Sequence, residues 1–329
     1  MKQRIAFAGF RHPHILGLWE RANAHSNCEI VAAYESHPPT RESLKEGGKV
    51  EITHTDFAQM LAESDATIIA IGDVYAKRGA LAIAALESGR HVIADKPICT
   101  SLAELQEIER LSREKGLSVG CQLDLVEVPV VRKLHEIIQA GTLGQICTIT
   151  IGAQHPLRQG SRAAWYFEPG QHGGTINDIG IHAFDLCPWL TGSKWDSLLT
   201  AREWNAKAVS TPHFMDCAQF HAVLEGQISC FADVSYLAPD TLGYGLPLYW
   251  RITVNGTKGV AEISYSLPNV TLVTDEDTAP QQLPGVSEPV PGYLQDFLDE
   301  IDGQPNAAGL TSGRVLSGSR WALEAQYLK

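Results

Sequence analysis

An aspartate and a histidine, Asp178 and His182, stand four residues apart in the apolar segment 173–186. The spacing of the apolar residues predicts a helix, on which residues four positions apart lie on one face. A carboxylate in that position can orient an imidazole and raise its basicity, which suits a general acid or base. The pair is therefore a candidate catalytic site. The alternative is a buried polar pair that only satisfies its own hydrogen bonds.

A lysine, Lys96, follows a predicted buried strand. Residues 66–71 and 91–94 are short apolar runs joined by an alanine-rich helical pattern, which favours two parallel strands with a crossover helix. Lys96 comes just after the second strand, at the end where open α/β sheets bind ligands, and Pro97 restricts its backbone. Such a lysine can stabilise negative charge on a reacting oxygen. The alternative is an ordinary surface lysine.

The amino-terminal segment has the layout of a dinucleotide site. A predicted strand ends in Gly9, a helix follows, and the next predicted strand ends beside Glu35. Glu35 is predicted to accept hydrogen bonds from the adenosine ribose and to repel a 2′-phosphate, which favours NAD over NADP. The glycine motif is degraded, because Arg11 stands at the second glycine position and His14 near the third.

These segments resemble the Gfo/Idh/MocA family, the group of glucose–fructose oxidoreductase and inositol dehydrogenase. Residues 95–97, Asp-Lys-Pro, are similar to the family's acid-Lys-Pro motif, and residues 173–185 are similar to its Gly-Gly…Asp…His motif. The resemblance extends over nearly the whole chain. It implies that Lys96 polarises the substrate, that His182 transfers a proton, and that Asp178 orients or assists this histidine.

Two segments depart from the family pattern. Residues 73–78 read Asp-Val-Tyr-Ala-Lys-Arg where many members carry Thr-Pro-Asn…His, and residues 122–124 read Gln-Leu-Asp where a basic or aromatic residue usually follows the amide. Relatives use both segments to line the nicotinamide and the substrate, so the resemblance leaves the substrate open. The residues predicted to bind the dinucleotide are Gly9, Arg11, His12, His14, Glu35, Ile71, Gly72, Asp73, Asp95, Lys96 and Gln122.

Aromatic and basic residues add a candidate sugar site. His155 and Arg158 end a long extended run, Trp165 precedes the glycine pair, and relatives place such segments at the mouth of the cleft. An aromatic plane with polar donors suits a sugar or cyclitol ring. Arg158 or Arg78 can bind an anionic group, which would mean a sugar acid or a sulfonated or phosphorylated sugar. The residues predicted to bind substrate are Lys96, His155, Arg158, Trp165, Asp178 and His182.

The strand and helix patterns predict an α/β protein with two domains. Apolar strands alternate with helices up to residue 121, which predicts a doubly wound Rossmann domain with a parallel sheet at 1–121. Residues 122–329 carry a helix and then long alternating runs, which predict an α+β domain with a large, open, mostly antiparallel sheet. A hairpin turn is predicted at residues 255–256. The carboxyl-terminal helix is expected to pack back on the first domain.

Composition excludes several classes of protein. The formal net charge of −12 argues against a nucleic-acid or membrane surface, and no apolar run reaches the roughly 18 residues that span a bilayer. The seven cysteines form no CxxC pair and the chain starts without a signal-like segment, so we expect a cytoplasmic protein with reduced thiols. No metal site is predicted, because His12 and His14 lack a third ligand.

Together these features predict an NAD-dependent dehydrogenase that acts on a CH–OH group of a sugar, a sugar acid or a cyclitol. We expect a homodimer or homotetramer formed through the sheet of the second domain. One alternative is a redox-cycling glycoside hydrolase or lyase, which oxidises a sugar carbon only transiently. Another is a non-catalytic dinucleotide sensor, which would not need the trio of Lys96, Asp178 and His182.

Overall fold

The structure is a computed structural model that describes residues 2–247, 249–305 and 309–328. It contains two compact units, neither of them contiguous in sequence. The first comprises Met1–Gln122, Ala163–Gly173 and Pro291–Ser317, and the second comprises Leu123–Arg162, Gly174–Val290 and Gly318–Lys329. The first division of the chain lies one residue from the predicted boundary. The two later segments of the first unit have no counterpart in the predicted contiguous domains.

The first unit contains a parallel sheet of five strands. Its elements up to residue 122 are β1 (Gln3–Ala8), α1 (His14–Ala24), β2 (Cys28–Tyr34), α2 (Pro38–Gly47), α3 (Phe57–Glu63), β3 (Ile68–Ile71), α4 (Tyr75–Glu87), β4 (His91–Ala94), α5 (Leu102–Lys115) and β5 (Val119–Cys121). The strand order is β2-β1-β3-β4-β5, with every pair parallel. The order therefore reverses between β1 and β3, the kind of position where open α/β sheets bind ligands at the carboxyl ends of their strands.

Two glycines let helices pack closely in the first unit. A Cβ atom on Gly79 would lie 2.3 Å from the carboxyl carbon of Glu104, so a larger residue in α4 would displace the Glu104 carboxylate of α5. A Cβ atom on Gly120 would lie 2.7 Å from the ring of Phe297 on α8 (Tyr293–Ile301).

The last helix, α9 (Ser312–Gln326), begins in the first unit and continues in the second. Its Ser312 hydroxyl accepts a hydrogen bond from Val119 N at 2.7 Å.

The second unit contains a mixed sheet of eight strands. Its elements are α6 (Pro129–Gln139), β6 (Ile146–Pro156), a π-helical turn (Ile176–Gly180), α7 (Ile181–Thr191), β7 (Trp195–Trp204), β8 (Cys217–Leu224), β9 (Ile228–Ala238), β10 (Arg251–Gly256), β11 (Gly259–Ser264), β12 (Asn269–Thr274) and β13 (Gln281–Pro284). The order is β13-β12-β11-β10-β6-β9-β8-β7, and only β6 and β9 pair in parallel. The predicted fold class, a Rossmann sheet followed by a large and mostly antiparallel sheet, is confirmed.

The eight-stranded sheet buries one face against α6 and α7. Residues on β8 alternate between buried and half-buried positions, as expected for a strand that is covered on one side. The opposite face carries large apolar side chains, since Leu199 is 56% exposed and Phe231 is 42% exposed.

Two local predictions in this unit were wrong. The hairpin between β10 and β11 pairs Gly256 with Gly259, so its turn is Thr257-Lys258 and not 255–256. The segment 176–186 is not one α-helix, because it begins with a π-helical turn at Ile176–Gly180. Among the described residues, no helix combines the length and the apolar character that crossing a bilayer requires.

Candidate functional site

The loop after β1 lies close to the end of β3 because two glycines leave room for it. Gly9 has a φ of +84°, and a Cβ atom there would lie 2.6 Å from Cβ of Asp73. A Cβ atom on Gly72 would lie 2.4 Å from Cβ of Ile15. His12 N donates a hydrogen bond to Gly72 O at 3.1 Å. The predicted cofactor residues of β1 and β3 therefore meet at the point where the strand order reverses.

Glu35 lies just after β2, as predicted, but its carboxylate is engaged by the backbone. Its two oxygens accept hydrogen bonds from Phe10 N at 2.7 Å and from His37 N at 2.8 Å, and the residue is fully buried. Burial raises the pKa of the Glu35 carboxyl, although these hydrogen bonds oppose the shift. In this structure Glu35 stabilises the turn at Gly9 through its hydrogen bond from Phe10 N. Its contact with a ribose stays a prediction.

His12, Asp95 and Arg78 form a buried polar cluster at the same edge of the sheet. His12 Nδ1 contacts Asp95 Oδ2, and Arg78 Nη2 donates to the same oxygen at 3.0 Å. Burial lowers the pKa of His12 to about 4, against the opposing charge of Asp95. Burial raises the pKa of the Asp95 carboxyl, but the cationic groups beside it outweigh this effect and hold the pKa well below its usual range.

Arg78 is a structural residue in this cluster and does not bind an anion from solution. Its side chain is fully buried and donates to the carbonyl oxygens of Asp73, Asp95, Lys96 and Pro97 as well as to the Asp95 carboxylate. Because these contacts occupy the guanidinium, the prediction that Arg78 can grip a substrate anion was wrong. Instead, Arg78 fixes the backbone of the segment that carries Lys96.

Lys96 and Gln122 are both buried at the carboxyl ends of neighbouring strands. Lys96 is only 6% exposed and follows β4, which excludes the alternative of an ordinary surface lysine. Gln122 N donates to Ala94 O at 2.9 Å, while its side-chain Oε1 is buried and accepts no hydrogen bond from any described residue. A buried amide oxygen without a donor fits a ligand that brings one, such as the carboxamide of a nicotinamide.

Aromatic residues surround His12 in the first unit. Tyr75 OH lies 3.3 Å from His12 Nε2 and 2.8 Å from Tyr166 OH. The ring of Trp165, predicted to bind substrate, lies 4.8 Å from that of Tyr75, and its Nε1 donates to Arg11 O at 3.2 Å. Trp165 is 2% exposed, so the structure places it in a buried aromatic group within the first unit.

In the second unit, Asp178 and His182 lie at the junction of the π-helical turn and α7. Tyr236 OH on β9 donates a hydrogen bond to Asp178 Oδ2, and both residues are buried. A π-helix closes its hydrogen bonds over five residues instead of four. The predicted pairing of Asp178 with His182 stays a prediction, and the structure adds a contact between the Asp178 carboxyl and strand β9.

The start of this helical segment is held by two side chains that sequence reasoning missed. Glu203 Oε1 accepts from Ile176 N at 2.8 Å, and Gln326 Oε1 accepts from Asn177 N at 3.1 Å. Gln326 Nε2 in turn donates to Glu203 Oε2. Gly174 has a φ of +96°, which favours glycine, and a Cβ atom there would lie 2.0 Å from Gln326 Oε1. The residue pair is separated by more than a hundred positions, so no local pattern could reveal it.

Neighbouring aromatic rings lie between His182 and Tyr236, the residue that bonds to Asp178. The ring of Trp250 lies 5.0 Å from that of His182 and 5.8 Å from that of His155, and the His155 ring lies 6.2 Å from that of Tyr236. Three of the residues predicted to bind substrate, Asp178, His182 and His155, thus belong to one cluster, whereas Tyr236 and Trp250 were not predicted.

Arg158 joins the edge of this cluster. Its guanidinium carbon lies 5.3 Å above the ring of Tyr244, whose centre is 5.6 Å from that of His155. Its backbone N donates to Asp240 Oδ1 at 3.0 Å, which helps to hold a φ of +51°. The exposed guanidinium is available to a ligand at this surface, in contrast to that of Arg78.

Comparison with known proteins decides the family. Residues 6–122 match the domain described as the oxidoreductase family with an NAD-binding Rossmann fold, and residues 131–262 match the GFO/IDH/MocA C-terminal domain. The chain belongs to the Gfo/Idh/MocA oxidoreductase family. The resemblance inferred from the Lys96 and His182 motifs is therefore confirmed, and so is NAD as the cofactor of its Rossmann fold.

Individual relatives of this Gfo/Idh/MocA protein are distant. The Synechocystis oxidoreductase sll0816 is 22% identical over 170 residues, which is 51% of this chain and 46% of that protein, so the chain spans about half of its length. An oxidoreductase from Erwinia carotovora superposes with a TM-score of 0.87 at 22% identity, over 99% of this chain and 98% of that one. The Azotobacter vinelandii inositol dehydrogenase homologue, in complex with NADH and myo-inositol, superposes with a TM-score of 0.76 at 17% identity. The match covers 98% of this chain and 94% of that one. These solved structures show a shared fold.

Proposed function

We propose that this protein is an NAD-dependent dehydrogenase that oxidises a secondary hydroxyl of a sugar, a sugar acid or a cyclitol. The observation that carries the proposal is the cluster of the second unit, in which His182 lies beside Trp250 and the Asp178 carboxyl is bonded to Tyr236. A polyol ring has an apolar C–H face and a hydroxylated rim. Aromatic planes beside an imidazole and a carboxyl are suited to both.

Each predicted catalytic residue has a separate role. His182 accepts the proton of the substrate hydroxyl, and Asp178, held by Tyr236, orients or assists this histidine. Lys96 stabilises the negative charge that develops on the hydroxyl oxygen. Bound NAD would supply the acceptor for the hydride that leaves the carbon. In this proposal the side chains of the protein supply proton transfer, charge stabilisation and orientation of the substrate.

Residues of the first unit hold the dinucleotide in this proposal. The Gly9 turn would allow a phosphate to approach the backbone, and α1, which begins at His14, would add the positive end of its helix dipole there. Gln122 Oε1 would accept a hydrogen bond from the carboxamide of NAD, and Glu35 would favour NAD over NADP.

The substrate class rests on two supports. The Azotobacter vinelandii relative was crystallised with myo-inositol, which makes a cyclitol or sugar a reasonable first panel. The exposed Arg158 guanidinium suits a carboxylate, so sugar acids belong in the panel as well.

The test is a panel of sugars, sugar acids and cyclitols incubated with the protein and NAD, with NADH measured by absorbance and products by chromatography. Stoichiometric NADH with an oxidised product supports the proposal. A cleaved glycoside without NADH would identify the redox-cycling hydrolase or lyase instead. Dinucleotide binding without turnover of any member would point to the sensor.

We also infer a homodimer or homotetramer that covers the exposed face of the large sheet, where Leu199 and Phe231 lie. Light scattering on the purified protein measures the assembly, and Phe231→Glu should shift it towards the monomer. A monomeric wild-type protein contradicts this inference. The cytoplasmic location stays a prediction from the sequence.

A further inference from the structure

The cluster at the β1–β3 edge contains a set of metal-binding atoms that the sequence did not reveal. One ligand atom each from His12, His14 and Asp95 lies within 4.8 Å of the others. His14 Nδ1 is 3.5 Å from Asp95 Oδ1, while His12 Nδ1 contacts Asp95 Oδ2. The third ligand, which sequence reasoning missed, stands 81 residues after His14 along the chain.

The fold explains why these three side chains meet. His12 and His14 lie in the loop that follows β1, with Pro13 between them at a φ of −67°. Asp95 follows β4, and its N donates to Ile71 O of β3 at 2.9 Å. Since parallel strands end at the same edge of a sheet, the loop after β1 and the residue after β4 approach each other above the end of β3.

A buried carboxylate oxygen at this point accepts no hydrogen bond. Asp95 is fully buried, and its Oδ1 has no hydrogen-bond donor among the described residues. An unpaired buried carboxylate oxygen is costly unless a donor or a cation satisfies it. The unsatisfied oxygen faces His14 Nδ1, so a cation placed between these two atoms would be bound by both.

We propose that His12, His14 and Asp95 bind a divalent transition-metal ion. Ligand distances of about 2.0–2.2 Å place neighbouring ligand atoms roughly 3–4 Å apart, which the 3.5 Å between His14 Nδ1 and Asp95 Oδ1 matches. The ion would replace the direct contact between His12 Nδ1 and Asp95 Oδ2. Two imidazoles and one carboxylate are the donors preferred by Zn²⁺ and Co²⁺, whereas Mg²⁺ prefers oxygen alone. Three protein ligands leave a position for water or for an oxygen of a bound molecule.

Outer hydrogen bonds are in place for such an ion. Metal-bound histidines usually donate their second ring nitrogen to a fixed partner, and Tyr75 OH lies 3.3 Å from His12 Nε2. Arg78 donates to Asp95 Oδ2 at 3.0 Å and so orients the carboxylate. The guanidinium also offsets the charge of Asp95. Affinity must therefore come from the donor atoms, which further favours an imidazole-binding ion over Mg²⁺.

The experiment is metal binding by the chelator-treated chain of 329 residues without dinucleotide, because His12, His14 and Asp95 are also predicted to bind the cofactor. Calorimetry with Zn²⁺ should give about one ion per chain, and Co²⁺ should produce visible d–d absorption. Excess Mg²⁺ should not compete. No binding by the wild type, or competition by Mg²⁺ at the Zn²⁺ concentration, overturns the proposal.

Two substitutions of His14, whose side chain is 49% exposed, test the assignment without disturbing the core. His14→Gln should weaken Zn²⁺ binding by at least about 100-fold, since losing an outer partner alone costs about 10–100-fold. His14→Cys should restore binding and add a thiolate charge-transfer band to the Co²⁺ spectrum. The matched control is His213→Gln, which removes an exposed histidine of the β7–β8 loop and should bind as the wild type does. Wild-type Zn²⁺ affinity in His14→Gln, or no thiolate band in His14→Cys, would reject the site.

Discussion

The Tyr236 hydroxyl donates a hydrogen bond to the Asp178 carboxylate. The two residues are 58 positions apart in the chain, and both are buried in the second unit. The acid of the predicted catalytic pair is therefore positioned by strand β9 as well as by its own helical segment. This contact changes what substitutions near the pair should do.

Tyr236→Phe should lower turnover by about 10- to 100-fold while leaving the fold intact. The phenylalanine keeps the contact with the Phe214 ring, 5.3 Å away, but removes a hydrogen bond to a carboxyl that is worth about 1.5–3 kcal/mol. Turnover and thermal unfolding of the variant provide the measurement. Tyr265→Phe, at an exposed position of the same unit, is the control. Unchanged turnover with lowered stability would make the contact purely structural.

His182→Asn should lower turnover by about 10²–10⁴-fold, because the amide cannot accept the substrate proton. The asparagine keeps part of the polar shape beside Trp250, so the unfolding temperature should change little. His221→Asn is a suitable comparison, since His221 bonds to Ser229 on the sheet. If His182→Asn loses stability but keeps its turnover, the histidine belongs to the packing and not to the chemistry.

Lys96→Met should lower turnover by about 10²–10³-fold, the usual cost of one charge-stabilising donor. Methionine retains the apolar stem in a position that is only 6% exposed, so stability should stay near that of the wild type, and NAD affinity should fall far less than turnover because the other predicted cofactor residues remain. Calorimetric NAD binding and steady-state rates check both expectations. Lys77→Met, at an exposed lysine of the same unit, controls for loss of charge alone. Normal turnover in Lys96→Met would remove the lysine from the mechanism.

Glu35→Gln should reduce the preference for NAD over NADP. Two unit charges about 4 Å apart repel by roughly 4 kcal/mol near a protein surface, so removing one should improve NADP affinity by at least about 10-fold. The amide has a single acceptor oxygen, and either Phe10 N or His37 N therefore loses its partner. Stability should fall as well. Titration with both dinucleotides decides, and tighter NADP binding by the wild type would contradict the role of Glu35.

Glu203→Gln should change how stability depends on pH. Burial raises the pKa of the Glu203 carboxyl, although hydrogen bonds from Ile176 and Gln326 oppose the shift. Because the folded-state pKa is raised above the unfolded value of about 4.3, the native state holds the proton more tightly. Its stabilising contribution is complete below about pH 4 and is lost as the pH rises through the folded-state pKa.

The unfolding free energy of Glu203→Gln should therefore improve relative to the wild type between pH 4 and pH 7. Urea denaturation at both pH values measures this difference. Glu276→Gln, an exposed substitution, should show no such trend. A constant difference between Glu203→Gln and the wild type would mean that Glu203 titrates alike in both states.

Short-range patterns were sufficient for most of the fold. Helix α5 (Leu102–Lys115) has signals for both of its ends in the local sequence, since Ser101 accepts from Glu104 N at its start and Gly116 adopts a φ of +65° at its end. The apolar run at 66–71 contains the buried strand Ile68–Ile71. Both signals depend on neighbours within about four residues, which a single sequence displays directly.

The candidate sites needed contacts between distant segments. Asp95 joins His12 and His14 as the third candidate metal ligand. Glu203 and Gln326 together hold the start of the helical segment that carries Asp178. Neither grouping leaves a local pattern, because the partners come from different strands and helices. Burial of Arg78 likewise follows from four carbonyl groups that only the folded backbone brings together.

The periodicity of apolar residues indicated the parallel and antiparallel sheets. The short motifs indicated the NAD-binding family and the candidates Lys96, Asp178 and His182. Periodicity and motifs are both properties of neighbouring residues, which the sequence displays directly. Tertiary structure alone decided that Asp178 bonds to Tyr236, that Arg78 is structural, and that Asp95 joins His12 and His14. The physical reason is that hydrogen bonds and ligand sets depend on distances in space, and sheet pairing brings together residues that the chain keeps far apart.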